Sequence, residues 1–384
     1  MTLDSRRELD AERVLAGAQH QVWNLITQHP GQMPTFTEGG RWYFDDDSWA
    51  PTWTSGFLAG LVWIFADLTG DVEWRKQAEK YCRLLEPRKL DKGTHDIGFL
   101  FTPSWGRWHA LDPSEETSAV LIQAGRTMAE RFNTAGKYLR TWVDAGSTFI
   151  DVMMNIGIIY QAAALSGDQR LADIATAHAM TSRRYLVRGD SSTAHEGWFD
   201  PESGEFLRAA THQGYRSDST WVRGQAWAIY GFGTAFQWTG DEKFLHTARR
   251  CAELYIAEVG DRFVGPNDWR DPSPEFPYEA SGASITASAM LQLSELLGEE
   301  GAVYRDYACG ILARLSEPEF LGSSEKGWEG IIKHSTYHRV NGIGVDESVM
   351  WGDYYFVEAL HRLVATRGTA SAITSSRDVK VTGP

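Results

Sequence analysis

Two kinds of apolar pattern alternate along this chain. The first fills whole segments. WTSGFLAGLVWIFADLTGD (53–71), NIGIIYQAAALSGD (155–168) and WVRGQAWAIYGFGTAFQWTGD (221–241) carry small residues near the start, an aromatic or aliphatic body and a Gly-Asp end. Looser versions are ETSAVLIQAGRTMAERFN (116–133), SGASITASAMLQLSELLG (281–298) and SVMWGDYYFVEALHRLVATRG (348–368). The second kind spaces apolar residues three and four apart among charges. ELDAERVLAGAQHQVWNLI (8–26), DVEWRKQAEKYCRLLE (71–86), DQRLADIATAHAMTSRRYL (168–186), DEKFLHTARRCAELYIAEV (241–259) and EGAVYRDYACGILARLSE (300–317) belong to it.

The first pattern predicts helices buried on most sides, the second amphipathic helices with one wet face. The Gly of each TGD predicts a helix stop, and the Asp after it an N-cap for the next helix. Starts of the apolar set fall roughly 40–70 residues apart, which suits one helix pair per repeat. Six inner helices wrapped by outer ones describe an all-α fold, the (α/α)6 barrel.

Composition narrows the picture. A chain of 384 residues has room for two or three domains, yet no linker or charge block interrupts residues 9–366. One catalytic-size domain over 1–366 is expected, with a loosely ordered tail over 367–384. Cys82, Cys251 and Cys309 fall inside predicted helices without metal-ligand spacing, as core thiols of a reducing compartment do. The charged N-terminus lacks an apolar run and no segment reaches membrane-span length, so the expected location is cytoplasmic. A net charge of −14 argues against nucleic acid as partner. Neither a membrane nor an obligatory protein partner is expected. The run Asp45–Asp47 lacks further ligands at useful spacing and reads as a solvated loop or helix cap. No metal or cofactor is expected.

The Trp content points towards a ligand class. Of sixteen Trp, several sit beside polar residues, as in FTPSWGRWHA (101–110) and AHEGWFDPESG (194–204). Such faces suit stacking on sugar rings, while about half of the Trp would simply fill a large core.

Four polar clusters sit near predicted helix starts. GTHDIGFLFTPSW (93–105) carries His95 and Asp96, and TFIDVMMNIG (148–157) carries Asp151 and Asn155. THQGYRSDSTWVRGQAW (211–227) carries His212, Gln213, Asp218, Arg223, Gln225 and Trp227, and STAHEGWFDPESG (192–204) adds His195. In a barrel these ends can gather on one face. A carboxylate pair, bidentate donors and aromatic walls would then form a carbohydrate site. Taken singly, each has a plainer explanation. Asp151 would serve as an N-cap, Asp96 as an acid bonded to backbone amides, Arg223 as a partner of Asp218 or Asp96, and His212 as a turn residue.

WTSGF (53–57), HDIGF (95–99), DVMMN (151–155), THQGY with WVRGQAW (211–227) and VMWGDYYFVEAL (349–360) together resemble the unsaturated glucuronyl hydrolases, glycoside hydrolase family 88. The matches run in family order over nearly the whole chain. The resemblance implies the same barrel and a small anionic oligosaccharide substrate, the unsaturated disaccharide left by a polysaccharide lyase. It makes Asp151 the catalytic acid/base and Asp96 the second essential carboxylate. It places His195, Gln213, Arg223 and Trp227 on the unsaturated sugar and counts His95, beside Asp96, among the substrate-binding residues. Trp142 would stack on the sugar beyond, and Trp53 would wall a subsite.

The chemistry implied is protonation of C4 of a C4=C5 vinyl ether, then addition of water at C5. The hemiketal opens, breaks the glycosidic link and sets free the once 4,5-unsaturated uronate with its double bond hydrated. One carboxyl group suffices, without a covalent intermediate. It must start protonated: burial and Asp96 push its pKa up, and the helix N-terminus pushes it down. The expectation is that the first two prevail. Three alternatives share parts of this picture. They are an unsaturated rhamnogalacturonyl hydrolase, a sugar 2-epimerase or isomerase using His195, His212 and His334, and a non-catalytic carbohydrate binder.

Overall fold

The computed structural model describes residues 9–44, 52–272 and 278–377, with side chains to residue 365. The acidic run at 45–47 lies outside the described residues. Among the described residues, fourteen α-helices pair end to end twice, leaving twelve rods. Six form an inner ring: α2 (Ser55–Thr69), α4 with α5 (Ile97–Phe101, Arg107–Leu111), α7 with α8 (Val152–Asn155, Gly157–Ser166), α10 (Val222–Thr239), α12 (Ala280–Leu297) and α14 (Met350–Arg377). The outer set is α1 (Ala11–Gln28), α3 (Val72–Leu85), α6 (Glu115–Ala129), α9 (Gln169–Tyr185), α11 (Glu242–Val259) and α13 (Ala302–Leu315). α14 packs against both α12 and α2, which closes the ring. The expected (α/α)6 barrel is the fold.

The stops fall where the sequence puts them. Gly70, Gly167 and Gly240 take left-handed φ values of 64°, 70° and 67°, which glycine adopts without steric cost. The next residues, Asp71, Asp168 and Asp241, accept from the backbone N–H two positions on, at 2.8, 3.2 and 3.0 Å.

One assignment changes. The segment 116–133, read as inner from its apolar content, lies outside: Glu115 and Glu116 lead α6 into water. The inner rod is instead 97–111, whose Pro103 interrupts the expected helical pattern. A π-helical turn at Thr102–Gly106 absorbs that proline and lets α4 run on into α5. The tail expected to be loose begins as helix, since α14 runs to Arg377. Residues 378–384 lie outside the described residues.

Two small antiparallel sheets serve the ring's N-terminal end. In one, Ser147–Phe149 pairs with Glu196–Phe199, which pairs with Phe206–Ala210. The other is a hairpin of Ser335–His338 and Ile343–Glu347.

Candidate active site

All six inner rods begin at the same end, and the four polar clusters converge there. Asp96 precedes α4 and Asp151 precedes α7. Asn155 fastens these two starts together. Its Oδ1 accepts from Phe99 N at 2.8 Å, while its amide donates to Asp151 O at 3.2 Å. Gly98 permits the approach, because a Cβ there would lie 2.4 Å from Asn155 Cα.

Neither aspartate behaves as a cap. Asp151 has helical φ and ψ of −60° and −29° and makes no side-chain capping bond. Asp96 also lacks one, and its Oδ2 accepts from Thr94 Oγ1 at 2.8 Å. His95 Nε2 stands 3.5 Å from Asp96 Oδ1.

Sheet register delivers His195 to Asp151. Phe149 pairs with Glu196, and Ile150 N donates to His195 O at 2.9 Å, so the residues just beyond the pair meet. His195 Nε2 then lies 3.8 Å from Asp151 Oδ1. His195 Nδ1 accepts from His212 N at 3.0 Å and Gln213 N at 3.2 Å. A ring nitrogen facing two amide donors cannot carry the proton. Burial holds the imidazole pKa well below its usual value, so the ring is neutral with hydrogen on Nε2. That N–H and Asp151 Oδ1 are both buried and without hydrogen-bond partners.

Burial pushes the Asp151 pKa up to about 7; Arg223 opposes this, Asp96 adds to it, and the residue's own backbone N–H opposes it again. The expectation of a raised acid is met, with desolvation as the dominant cause. The side chain keeps 15% of its exposure, enough to meet a ligand.

Arg223 departs from its expected part. It is 1% exposed and sandwiched between Trp221 and Trp351, with ring centroids 4.3 and 5.0 Å away. Its fork donates to Thr336 O at 2.6 Å, to Tyr337 O at 2.7 Å and to Gln213 Oε1. Those donors are taken by the chain, not held out for a substrate carboxylate. Its acidic neighbour is Glu279, at 3.7 Å, whereas Asp218 pairs with Arg216. Because Arg223 holds the Gln213 carbonyl, the Gln213 amide NH2 is left to donate elsewhere.

The walls are aromatic. Trp53 is half-buried, donates from Nε1 to Tyr337 Oη at 3.1 Å, and packs on Phe99 and Trp351. Trp227, expected against the sugar, is 1% exposed and lies behind Phe99 and Tyr355. It supports the first layer of the wall and offers no open face. Trp142 is 60% exposed and stacks on His212 at 6.1 Å, at the rim. His334 is absent from the site: Asp346 binds its Nδ1 at 2.7 Å, and Glu319 O lies 3.1 Å from its Nε2. Gln225 is also turned away, donating to Ser191 O and Cys251 O.

Phe99, Phe149, Trp221, Tyr337 and Glu279 escaped the sequence reading. Phe99 and Phe149 sit within quoted motifs, three residues from Asp96 and two from Asp151, and that adjacency was the available signal. Tyr337 and Glu279 carried none.

A ring of helix starts thus holds a raised carboxyl and a neutral imidazole in an aromatic pocket of an (α/α)6 barrel. The profile of Glycosyl Hydrolase Family 88 matches residues 25–259, and the chain belongs to that family. An unsaturated glucuronyl hydrolase of Bacillus sp. (strain GL1) is 33% identical over 346 residues, covering 86% of this chain and 91% of its own. An unsaturated chondroitin disaccharide hydrolase of Streptococcus pyogenes serotype M1 is 28% identical over 323 residues, covering 81% and 80%. The crystal structure of the Bacillus sp. GL1 enzyme superposes with a TM-score of 0.87 at 30% identity, covering 92% of this chain and 96% of that one. A Streptococcus agalactiae unsaturated glucuronyl hydrolase mutant complexed with dGlcA-GalNAc6S superposes at 0.80 with 26% identity, covering 94% and 93%.

Proposed function

We propose that the chain hydrolyses unsaturated oligosaccharides of the kind polysaccharide lyases leave, splitting off the 4,5-unsaturated uronic acid unit in hydrated, ring-opened form, with Asp151 as the acid. The carrying observation is the unpartnered pair: Asp151 Oδ1 and the His195 Nε2–H face each other at 3.8 Å in a desolvated pocket. A carboxyl with pKa about 7 holds a proton at neutral pH and can give it up. Asp151 protonates C4 of the vinyl ether. The resulting carboxylate then takes a proton from the water that adds at C5. The neutral His195 donor binds a ring hydroxyl or that water, and Asp96 keeps a second negative charge beside the developing cation.

The substrate carboxylate enters the field of six converging helix N-termini, which favours an anion despite the chain's net charge of −14. The Gln213 amide, oriented by Arg223, donates to the same ring. Trp53 walls the near subsite and Trp142 receives the sugar beyond it, while His95 steadies Asp96. The location of His334 outside the pocket speaks against an epimerase that needs it. The names of the relatives favour a glucuronyl over a rhamnogalacturonyl substrate.

The test is a panel of unsaturated disaccharides, hexosamine-linked and rhamnose-linked, with and without sulfate. Ultraviolet absorbance of the conjugated enol ether disappears as the double bond is hydrated. Loss on hexosamine-linked members is expected. Unchanged absorbance across the panel would reject the reading and leave a binder.

A further inference from the structure

We infer that Glu279 is a positioning residue of the reaction: from behind Arg223 it neutralises part of the guanidinium charge that faces Asp151, and it pins the strand that holds Arg223 in place. This rests on Asp151 being the acid.

Glu279 is 0% exposed, at the start of α12. Everything near its oxygens is a donor. Gly282 N and Ser281 Oγ donate to it, Thr336 N donates at 3.1 Å, and Arg223 Nη1 stands 3.7 Å away. Two backbone amides, a hydroxyl and a guanidinium thus surround one carboxyl group, a setting that suits a carboxylate. Thr336 is shared: its N–H goes to Glu279 and its C=O to Arg223. Glu279, Arg223 and the strand Ser335–His338 therefore form one unit, with Gln213 attached through Arg223.

Around Asp151 stand Asp96 and His95 from the start of α4, His195 from just before the central strand, and Arg223 from α10; Tyr337, from the hairpin, lies alongside Asp96 and Arg223. Of these, Arg223 is the cation that pulls Asp151 towards its ionised form. A buried guanidinium without a counter-charge would pull harder, and the acid would lose its proton at lower pH.

The test is the pH dependence of kcat/KM on an unsaturated disaccharide. Wild type should lose activity as pH rises through about 7, where Asp151 ionises. Glu279→Gln should move that limb down by about one pH unit, with much of the rate recovered in acid. Arg223→Gln should move it up, and the double variant should return it towards wild type. A limb that stays put in Glu279→Gln, with rate lost equally at every pH, means a merely structural glutamate and overturns the inference. Should Glu279→Gln alone fail to fold, the double variant is compared with Arg223→Gln, and an identical limb overturns it equally. Where turnover is too slow to time, the Asp151 carboxyl carbon, identified by its loss in Asp151→Asn, is titrated by NMR in the same variants. Full turnover by Asp151→Asn would instead reject the parent reading.

Discussion

Among the described residues, six aspartates at helix starts divide into two jobs by what their oxygens touch. Asp10, Asp71, Asp168 and Asp241 cap helices and face water. Asp96 and Asp151 cap nothing and face a pocket. An Asp at a helix start reads as a cap in either case; the local difference is that the capping set opens amphipathic helices and the other two open apolar ones. The first prediction concerns Asp151→Asn, which keeps the shape and removes the proton. Turnover should fall by about 10²–10⁴-fold or more, with KM little changed. Steady-state kinetics with wild-type-like KM and kcat would remove Asp151 from the mechanism.

The same substitution should make the protein more stable at neutral pH. A carboxyl whose folded pKa is about 7, above its unfolded value, contributes stability that is full below the unfolded pKa. That contribution is lost as pH rises from about 4 to about 7, and above 7 a desolvated anion must be carried. Asp151→Asn removes that burden, about 1–4 kcal/mol at pH 8. Thermal melts should show a higher Tm for the variant at pH 8, with the gap closing near pH 4. A Tm below wild type at pH 8 contradicts the assignment of desolvation as the dominant cause.

Among the elements, the contact between α4 and α7 sets the spacing of the two carboxyl groups. Gly98→Ala places a methyl against Asn155 backbone, which has no flexible end to move aside. We expect a stability loss of about 1–3 kcal/mol. The larger effect should be on activity, since Asp96 and Asp151 are carried directly by the two helices pushed apart. Denaturant melts alongside kinetics separate the two, and wild-type kcat/KM would show that this contact does not set the site.

Much of this level was legible in the sequence. TGD stops and amphipathic outer helices are written in residues near one another, and the structure keeps them. The inner rod 97–111 was not legible, because Pro103 and a π-helical turn interrupt its period. Nor were Glu279 and Tyr337. A hairpin brings Thr336 and Tyr337 to Arg223 from more than a hundred positions away, and spacing carries no trace of that pairing. The occupied fork of Arg223 escaped for the same reason: two of its three hydrogen-bond partners, the backbone carbonyls of Thr336 and Tyr337, are distant in sequence.

At the scale of the whole molecule, a polar layer lies inside the ring. Glu358 of α14 accepts from Arg107 at 2.6 Å, Ser288 at 2.6 Å, and Tyr230 and Tyr354 at 2.8 Å each. Four inner rods, those of α5, α10, α12 and α14, meet on one carboxylate. Burial works against its charge, but Arg107 and Arg362 outweigh it and hold the pKa down to about 2. A depressed carboxylate stabilises fully above its unfolded pKa, and that stability drains away as pH falls from about 4.5 towards 2. Glu358→Gln leaves the buried Arg107 without its carboxylate, while Arg362 keeps Glu295, and should cost about 3–5 kcal/mol at pH 7. The variant's stability should also fall less steeply than wild type between pH 4.5 and 2. Parallel acid-denaturation curves would show that this layer does not bind the ring.

Because α14 seals the ring by packing between α12 and α2, the first and last inner rods share a seam. A nascent chain shorter than about residue 360 therefore cannot complete the circle, and Phe57 on α2 waits for Tyr354 and Tyr355 with its ring uncovered on that side. Synthesis thus imposes an order on the barrel: Asp96 and Asp151 emerge early, while the rod that makes their pocket a closed space arrives last.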